Sequence, residues 1–163
     1  MITIKCNLCN INQEKYDEII SDLDFNRLVC PKCGHSNLII HGCYSRRLKT
    51  KIGTIYLRII RVKCKSCGST HALLLSCLVP YSSIDLKSHI RIISNDDING
   101  LMIEVSDIDE SNIAYVKRMF NCHFKERLLS VCMSIDDNLV FNCFKYFKRQ
   151  FMQIKCTDNI LFA

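Results

Sequence analysis

Residues 30–34 read CPKCG and residues 64–68 read CKSCG. In each stretch two cysteines stand two residues apart and a glycine follows. This spacing lets one tight turn supply two thiolates, and zinc prefers four such ligands in a tetrahedron. Glycine accepts the unusual dihedral angles that a chain adopts after such a turn. The sequence therefore predicts one Zn²⁺ site whose ligands are Cys30, Cys33, Cys64 and Cys67.

The other cysteines and histidines leave several interpretations open. Cys6 and Cys9 form a third pair, but Asn10 follows it in place of glycine. They are either small side chains near a strand, or ligands that replace one pair or belong to a second site. A second site would need two more ligands from the scattered residues Cys43, His35, His41 and His71. His71 is alternatively a hydrogen-bond donor beside the metal, a phosphate contact or a surface residue. The lone cysteines are predicted to be small buried apolar side chains: Cys77, Cys122, Cys132, Cys143 and Cys156.

The predicted metal site is structural rather than catalytic. Four thiolates close the coordination sphere and leave no position for water. The metal would contribute folding energy to a segment too small to build its own core. The chain has 12 cysteines and no recognisable secretory signal. This combination predicts a cytoplasmic location, where paired cysteines bind metal more often than they form disulfides. The sequence contains no run of about 18 apolar residues, so it predicts no membrane span.

The residues between the two pairs are predicted to form a hairpin. Residues 38–44 and 54–62 are rich in β-branched and apolar side chains, and Lys51-Ile52-Gly53 lies between them as a turn. Such a hairpin would carry the second pair back to the first. Residues 71–79 predict a short strand that Pro80 ends.

The flanking segments are predicted to be mainly helical. Residues 2–5 suggest a short strand, and residues 12–23 carry apolar side chains at helical spacing. Caps are predicted at Asn95 or Asp96 and at Ser106 or Asp107. The helices predicted after Pro80 span residues 84–93, 97–105, 109–129 and 136–151. The fold class is therefore α+β, with an N-terminal strand and helix (residues 1–27), a small β zinc ribbon (28–80) and a helical half with a helix-turn-helix (81–163).

The charge of the chain is concentrated between the cysteine pairs. Residues 30–72 hold nine Lys/Arg and no acidic residue, whereas residues 1–29 have a net charge of −2 and residues 73–163 a net charge of −1. A solvated charged surface usually mixes both signs, so this block predicts a polyanionic partner. We expect DNA, duplex rather than single-stranded, with a homodimer allowed and no membrane partner.

Candidate nucleic-acid contacts follow from the basic block. Its members at the hairpin tip are expected to project freely into solvent and to contribute little to folding, with Tyr44 and Tyr56 as stacking partners. This tip group is Arg46, Arg47, Lys49 and Lys51. A second group leads into the second cysteine pair: Arg58, Arg61, Lys63 and Lys65. Arg58 and Arg61 have opposite parity, so an ideal strand places them on opposite faces.

A helix-turn-helix would add contacts from the second half of the chain. Its second helix would begin near Asp109 to Asn112 and carry Lys117, Arg118, Lys125 and Arg127 further along. Two acids, Asp109 and Glu110, stand at that start and would repel phosphate. A plain helical core that supports the ribbon is the alternative.

The stretches CPKCG, LIIHGCYSRRL and IYLRIIRVKCKSCGSTHALLLSCLVPY resemble the zinc-ribbon segment at the front of certain insertion-sequence transposases. In those proteins a CPxCG turn precedes a basic hairpin with an RRxxC strand, and here that strand reads IRVKC, with Ile60 in place of the first arginine. A closer resemblance is to a bacterial family of short stand-alone proteins, the domain of unknown function 6431. The resemblance covers residues 28–82 well and extends loosely to the end, including residues 150–154. It implies the same four zinc ligands, DNA binding and an ancestry in mobile elements.

The carboxylates do not suggest a transposase active site. Such enzymes hold two Mg²⁺ ions with carboxylates on a mixed sheet. The candidates here lie in helical surroundings and read as caps or solubilising charges: Asp96, Asp97, Asp107, Asp109, Glu110, Asp136 and Asp137. We therefore expect a transposase-derived regulator or accessory factor that is not itself an enzyme. The alternatives are a protein-interaction zinc module, for example on RNA polymerase, and a rubredoxin-like electron carrier with iron in the four-cysteine site.

Overall fold

The computed structural model of the chain describes residues 1–6, 10–136 and 138–153. These residues form a mixed α+β fold, as the sequence predicts. The strands are β1 (Ile2–Ile4), β2 (Leu38–Thr50), β3 (Gly53–Cys64) and β4 (Thr70–Leu75). The helices are α1 (Gln13–Ser21), α2 (Leu86–Ser94), α3 (Ile98–Glu104), α4 (Glu110–His123), α5 (Lys125–Ser130) and α6 (Leu139–Phe147).

The four strands form one sheet in the order β1-β4-β3-β2. Strands β2 and β3 make the predicted hairpin, and because Thr50 pairs with Gly53, the turn between them contains only Lys51 and Ile52. Gly53 has φ +103°, which side-chain-bearing residues rarely adopt, so glycine suits this turn. Strand β4 runs antiparallel to β3, and β1 pairs in parallel with β4. The strand expected near residues 2–5 is confirmed, although the sequence did not indicate its partner.

Helix α1 covers part of β3 that β4 leaves unpaired, since β4 reaches only residues 61–63 of β3. The Gln13 side chain accepts a hydrogen bond of 2.6 Å from the Arg58 N–H. The buried Tyr16 hydroxyl accepts from the Ile60 N–H and donates to the Leu73 carbonyl, both at 2.9 Å. Burial raises the pKa of Tyr16 to about 12, although the bond from Ile60 lowers it. Two side chains of a helix thus extend the hydrogen bonding of the strand.

We expect Tyr16→Phe to lower the free energy of unfolding by about 2 kcal/mol, because it leaves the buried Leu73 carbonyl and the partly buried Ile60 N–H without this partner. Urea denaturation measures this change. The matched control is Tyr56→Phe, which removes the same hydroxyl from a side chain that is 66% exposed and should have little effect. Equal stability of the two variants would mean that the Tyr16 hydroxyl does not secure α1.

The third predicted helix is in fact two. The prediction of one helix over residues 109–129 is wrong because Phe124, between α4 and α5, has φ −125° and ψ −32°. Its ring is buried and meets the Phe151 ring edge-on, with 5.5 Å between ring centroids. Packing of this ring against a distant segment coincides with the break, and apolar spacing within the helix cannot reveal such a break.

The last helix is shorter than residues 136–151, and a buried segment follows it. Lys148 adopts the left-handed conformation and ends α6, after which Gln150 is 1% exposed. The Gln150 amide accepts a 2.7 Å hydrogen bond from Thr3 Oγ1 and donates a 3.0 Å bond to the Leu78 carbonyl. These contacts tie the segment after α6 to β1 and to the segment that follows β4.

The helix caps differ from the predictions by one to three residues. Asp97, rather than Asn95 or Asp96, caps α3, and Asn95 instead ends α2 in the left-handed conformation. Asp109, rather than Ser106 or Asp107, caps α4 by accepting a hydrogen bond from the Asn112 N–H. Several Asx residues compete at each turn, so the sequence alone cannot select the capping residue.

In the part of the chain that the structure describes, buried apolar side chains form three clusters. The first joins β1, α1 and the sheet around Tyr16, Leu57 and Leu73. The second gathers Phe120, Phe124 and Phe151 with α6, and the third lies among α2, α3 and the start of α4. The predicted division at residues 27 and 80 stays a prediction. Within the described residues, no helix combines the length and apolar character that a membrane crossing requires.

Candidate metal centre and nucleic-acid interface

The two CxxCG stretches fold into matching turns. In the first, the Cys30 N–H donates to the His35 carbonyl at 2.9 Å and the Gly34 N–H to the Cys30 carbonyl at 2.8 Å. In the second, Cys64 and Gly68 make the equivalent bonds, both 2.9 Å long. Gly34 and Gly68 have φ +76° and +71°, which confirms the conformational role predicted for glycine at these positions.

These turns bring four sulfur atoms together. The Sγ atoms of Cys30, Cys33, Cys64 and Cys67 all lie within 4.8 Å of one another. The Sγ atoms of Cys30 and Cys67 are 3.6 Å apart, and so are those of Cys33 and Cys64. A tetrahedral ion with metal–sulfur bonds of about 2.3 Å requires sulfurs about 3.8 Å apart. Both the spacing and the four soft donors therefore fit a single metal ion.

Hydrogen bonds to the sulfurs favour ionised thiols. The Ser69 hydroxyl and N–H both bond to the Cys67 sulfur and lower its pKa to about 6. The Cys67 and Ser66 N–H groups bond to the Cys64 sulfur, and its pKa is also lowered. The His35 N–H acts in the same direction on Cys33, but desolvation and the three neighbouring cysteines raise the Cys33 pKa to about 12. A cation would relieve this crowding of thiolates, so the arrangement is suited to a metal.

His71 lies beside the cluster and is buried, so its interpretations as a phosphate contact or surface residue are wrong. Its Nε2 is 3.3 Å from the Cys30 sulfur and its Nδ1 is 3.2 Å from the amino group of Met1. Burial lowers the His71 pKa to about 4, which keeps the ring neutral near pH 7. A neutral ring with its proton on Nε2 donates to the sulfur. His71 thus orients Cys30, as partners of metal ligands commonly do.

The remaining cysteines and histidines form no second site in the described residues. Besides the four-cysteine cluster, no group of three or more metal-binding side chains is found there. Cys6 Sγ instead lies 3.4 Å from Ser76 Oγ, and Cys9 is outside the described residues. Among the lone cysteines, Cys143 is buried as predicted and Cys77 is partly buried. The prediction is wrong for Cys122 and Cys132, which are exposed, while Cys156 is also outside the described residues.

A family model described as a domain of unknown function (DUF6431) matches residues 30–114, more than half of the 163 residues. The chain belongs to this family. The match begins at Cys30, includes all four clustered cysteines and the β2–β3 hairpin, and ends within α4. No curated protein and no solved structure matches the chain.

Within this DUF6431 chain, one face of the hairpin is open over part of its length, because two of its side chains, Lys49 and Thr54, contact Asp107 and Asn112 near the tip. Arg47 pairs with Tyr56, Ser45 with Arg58 and Lys49 with Thr54, so these six side chains share a face of the hairpin. Tyr56 is 66% exposed, and Arg47 and Arg58 are also exposed. We call Arg47, Tyr56 and Arg58 the open-face trio. Tyr44 pairs with the buried Ile59 and therefore lies on the opposite face from Tyr56.

Three of the four tip residues do not project freely, contrary to the prediction. Arg46 is partly buried, and its Nη2 donates to the carbonyls of Val79 and Ser82, at 2.7 Å for Ser82. Lys49 Nζ donates to the Asp107 carbonyl and to Asn112 Oδ1. Lys51 forms a 2.7 Å ion pair with Glu104. The prediction considered only the hairpin and could not include α3, α4 and the segment after β4, which pack against it.

We expect Arg46→Ala to lower the free energy of unfolding by about 2 kcal/mol, because a guanidinium that bonds to two carbonyls is lost. The control is Arg47→Ala, the neighbouring arginine on the open face, which should change stability by less than about 0.5 kcal/mol. Urea denaturation of both variants makes the comparison. Equal destabilisation would contradict the distinct roles assigned to the two arginines.

The second basic group divides between the two faces of β3. Arg58 and Arg61 are both exposed although they are three residues apart, a spacing that an ideal strand places on opposite faces. Both can be exposed because the buried positions shift along β3, from Leu57 and Ile59 to Val62. Opposite β3 at this point, β2 contains an irregularity between Ile40 and Cys43. Arg61 donates a 3.0 Å hydrogen bond to Thr70 Oγ1. Lys63 is partly buried and Lys65 is exposed. Only Arg58 of this group joins the open-face trio.

The start of α4 is occupied by the hairpin. Asn112, which a recognition helix would direct at bases, accepts a hydrogen bond from Lys49. Lys117 donates a 2.8 Å bond to Asn95, and the Arg118 guanidinium lies 5.7 Å from the Tyr115 ring centroid. The helix-turn-helix remains a prediction, and these contacts make the open face the better candidate interface.

Proposed function

We propose that this chain is a zinc-containing, duplex-DNA-binding protein that contacts DNA through the open face of its β2–β3 hairpin. The observation that carries the proposal is the open-face trio, in which Arg47 and Arg58 flank an exposed Tyr56 within a segment of nine cations and no acid. Arginine binds phosphate oxygens through paired N–H groups, and a tyrosine ring can contact sugar or base. The trio therefore offers charge and an apolar surface together.

In this proposal the four-cysteine cluster holds Zn²⁺ and supports the hairpin. Cys64 ends β3, and the Lys65 N–H bonds to the Asn37 carbonyl at 2.9 Å, next to the start of β2. A metal bound by both turns would thus clamp the open end of the hairpin opposite its tip. Iron also fits four thiolates, as in the electron-carrier alternative. Elemental analysis distinguishes the two, and visible absorption adds an independent test, because four-thiolate iron sites are coloured and zinc sites are not.

The role proposed for the protein is that of a transposase-derived regulator or accessory factor without its own nuclease core. The resemblance of CPKCG and of the basic hairpin to transposase zinc ribbons supports this ancestry, although IRVKC departs from the RRxxC strand at Ile60. Candidate catalytic carboxylates have structural partners instead: Asp97 and Asp109 cap helices, and Asp107 accepts a hydrogen bond from Thr54 Oγ1. These roles support a binding protein over an enzyme.

Binding to a fluorescein-labelled DNA duplex, measured by anisotropy at several salt concentrations, tests the proposal. The expected result is an affinity that falls steeply with salt, because each phosphate contact releases a counterion. Affinity for duplex that does not depend on salt, or no binding at low salt, would contradict the proposal. Parallel titrations with single-stranded DNA test the preference for duplex.

One observation favours a second candidate, a protein-interaction module. Strand β2 lies at the edge of the sheet, and residues 39–45 are exposed along both faces. Ile40 is 60% exposed within this segment. An unpaired strand edge can accept a strand from another protein. Co-purification of a protein partner together with weak, salt-independent DNA binding would favour this candidate.

A further inference from the structure

A small pocket lies in the helical half of the chain, apart from both the cysteine cluster and the open-face trio. It has a volume of about 240 Å³ and is lined by Arg127, Phe147 and Arg149. Arg127 comes from α5, Phe147 is the last residue of α6, and Arg149 follows two residues later. The side chains of Arg127, Phe147 and Arg149 thus border one shallow, open depression, with Arg127 exposed and Arg149 half-buried.

Both arginines are attached to fixed parts of the core. The Arg127 guanidinium lies 5.7 Å from the centroid of the Phe124 ring, which is buried against Phe151. Arg149 immediately precedes Gln150, whose buried amide is bonded to Thr3 and Leu78. The Phe124 contact and the anchored Gln150 therefore restrain where the two arginines can lie.

The electrostatics of the pocket favour an anion. Within the described residues, the ion pairs are those of Lys51 and Arg91, and neither Arg127 nor Arg149 forms one. Glu126 adjoins Arg127 in sequence, but neighbouring residues of a helix point in different directions. Two cations that border one depression repel each other, and an anion bound between them would be attracted by both.

We propose that this pocket binds a phosphate group, supplied either by a DNA strand or by a free nucleotide. The planar guanidinium fork matches phosphate oxygens in pairs, which a lysine ammonium does not. Phe147 provides an apolar wall on which a sugar or base can rest. The DNA source rests on the proposed function, whereas the nucleotide source does not depend on it.

The test compares Arg127→Gln/Arg149→Gln with the wild-type protein and with the control Lys5→Gln/Lys87→Gln, which removes the same charge from two exposed lysines. Calorimetric titration with inorganic phosphate and with thymidine 5′-monophosphate measures the pocket directly. Anisotropy with the labelled duplex measures the contribution of the pocket to DNA binding.

We expect the arginine variant to bind the mononucleotide at least about tenfold more weakly than the wild type, since charge-assisted bonds are lost. The control should bind it normally. Thermal melts establish that both variants are folded, and Arg127→Lys/Arg149→Lys, which keeps the charge, should restore binding only in part.

The outcomes separate this proposal from the proposed function. Weaker binding of both duplex and mononucleotide assigns the phosphate to DNA, and weaker binding of the mononucleotide alone assigns it to a free nucleotide. If the wild-type protein binds no DNA but its mononucleotide binding requires the two arginines, the pocket stands and the DNA-binding function fails. The proposal is overturned if the folded arginine variant binds every ligand as tightly as the wild type, or if the wild type binds none of them.

Discussion

Cys67→Ser should abolish zinc binding and unfold the segment around the two cysteine turns. Structural zinc sites contribute about 10–16 kcal/mol of apparent binding free energy at neutral pH, whereas a whole domain is stable by about 5–15 kcal/mol. A serine hydroxyl is a poor zinc ligand, and three thiolates left close together repel one another. Elemental analysis gives the metal content, and circular dichroism follows the melting transition. We expect zinc to fall from about one per chain toward none and the transition to broaden or vanish.

Two cysteine variants serve as controls for this result. Cys122→Ser changes an exposed thiol on α4, and Cys6→Ser changes a thiol that contacts Ser76 rather than the cluster. Both should retain the metal. Full zinc content in Cys67→Ser would exclude the proposed ligand set, and zinc loss in Cys6→Ser would place that residue among the ligands. A coloured protein containing iron would leave the cluster in place but replace zinc with the electron-carrier alternative.

The cysteine cluster was predictable because its information is local. Each CxxCG stretch specifies its own turn, and the positive φ of Gly34 and Gly68 agrees with what the glycines indicated. The turn at Lys51 and Ile52 was predictable for the same reason. The role of Ser69 beside Cys67 was missed, although a hydroxyl two residues after a ligand is a visible signal for a hydrogen bond to sulfur.

What the sequence could not indicate depends on contacts between distant segments. Arg46 looked like a phosphate contact, yet it bonds to the turn that follows β4, more than 30 residues away. The break at Phe124 coincides with packing of its ring against Phe151, and the position of Gln150 depends on Thr3 at the other end of the chain. Periodicity and composition describe one segment at a time, so they predict elements better than the surfaces that those elements share.

Arg47→Ala/Arg58→Ala should weaken binding to duplex DNA about 10- to 100-fold at low salt, because two phosphate contacts are lost. The slope of log affinity against log salt concentration should also become shallower by about two, since each neutralised phosphate contributes about 0.9 to this slope. Residues 30–72 carry nine cations, and a zinc ion bound by four thiolates would add about −2, which would leave this segment near +7. Both side chains are exposed and form no ion pair in the described residues, so metal content and melting should be unchanged.

Matched variants separate charge, stacking and the helical half in the same assay. Lys5→Gln/Lys87→Gln removes two charges elsewhere and should leave the slope nearly unchanged. Tyr56→Ala removes the aromatic member of the open-face trio, so it should lower affinity without changing the slope, and more for single-stranded than for duplex DNA if the ring stacks on bases. If Arg47→Ala/Arg58→Ala binds normally while Lys117→Ala/Arg118→Ala does not, DNA binds to the helical half and the hairpin supports it. If neither variant changes affinity or slope, the exposed edge of β2 and a protein partner become the better explanation of this surface.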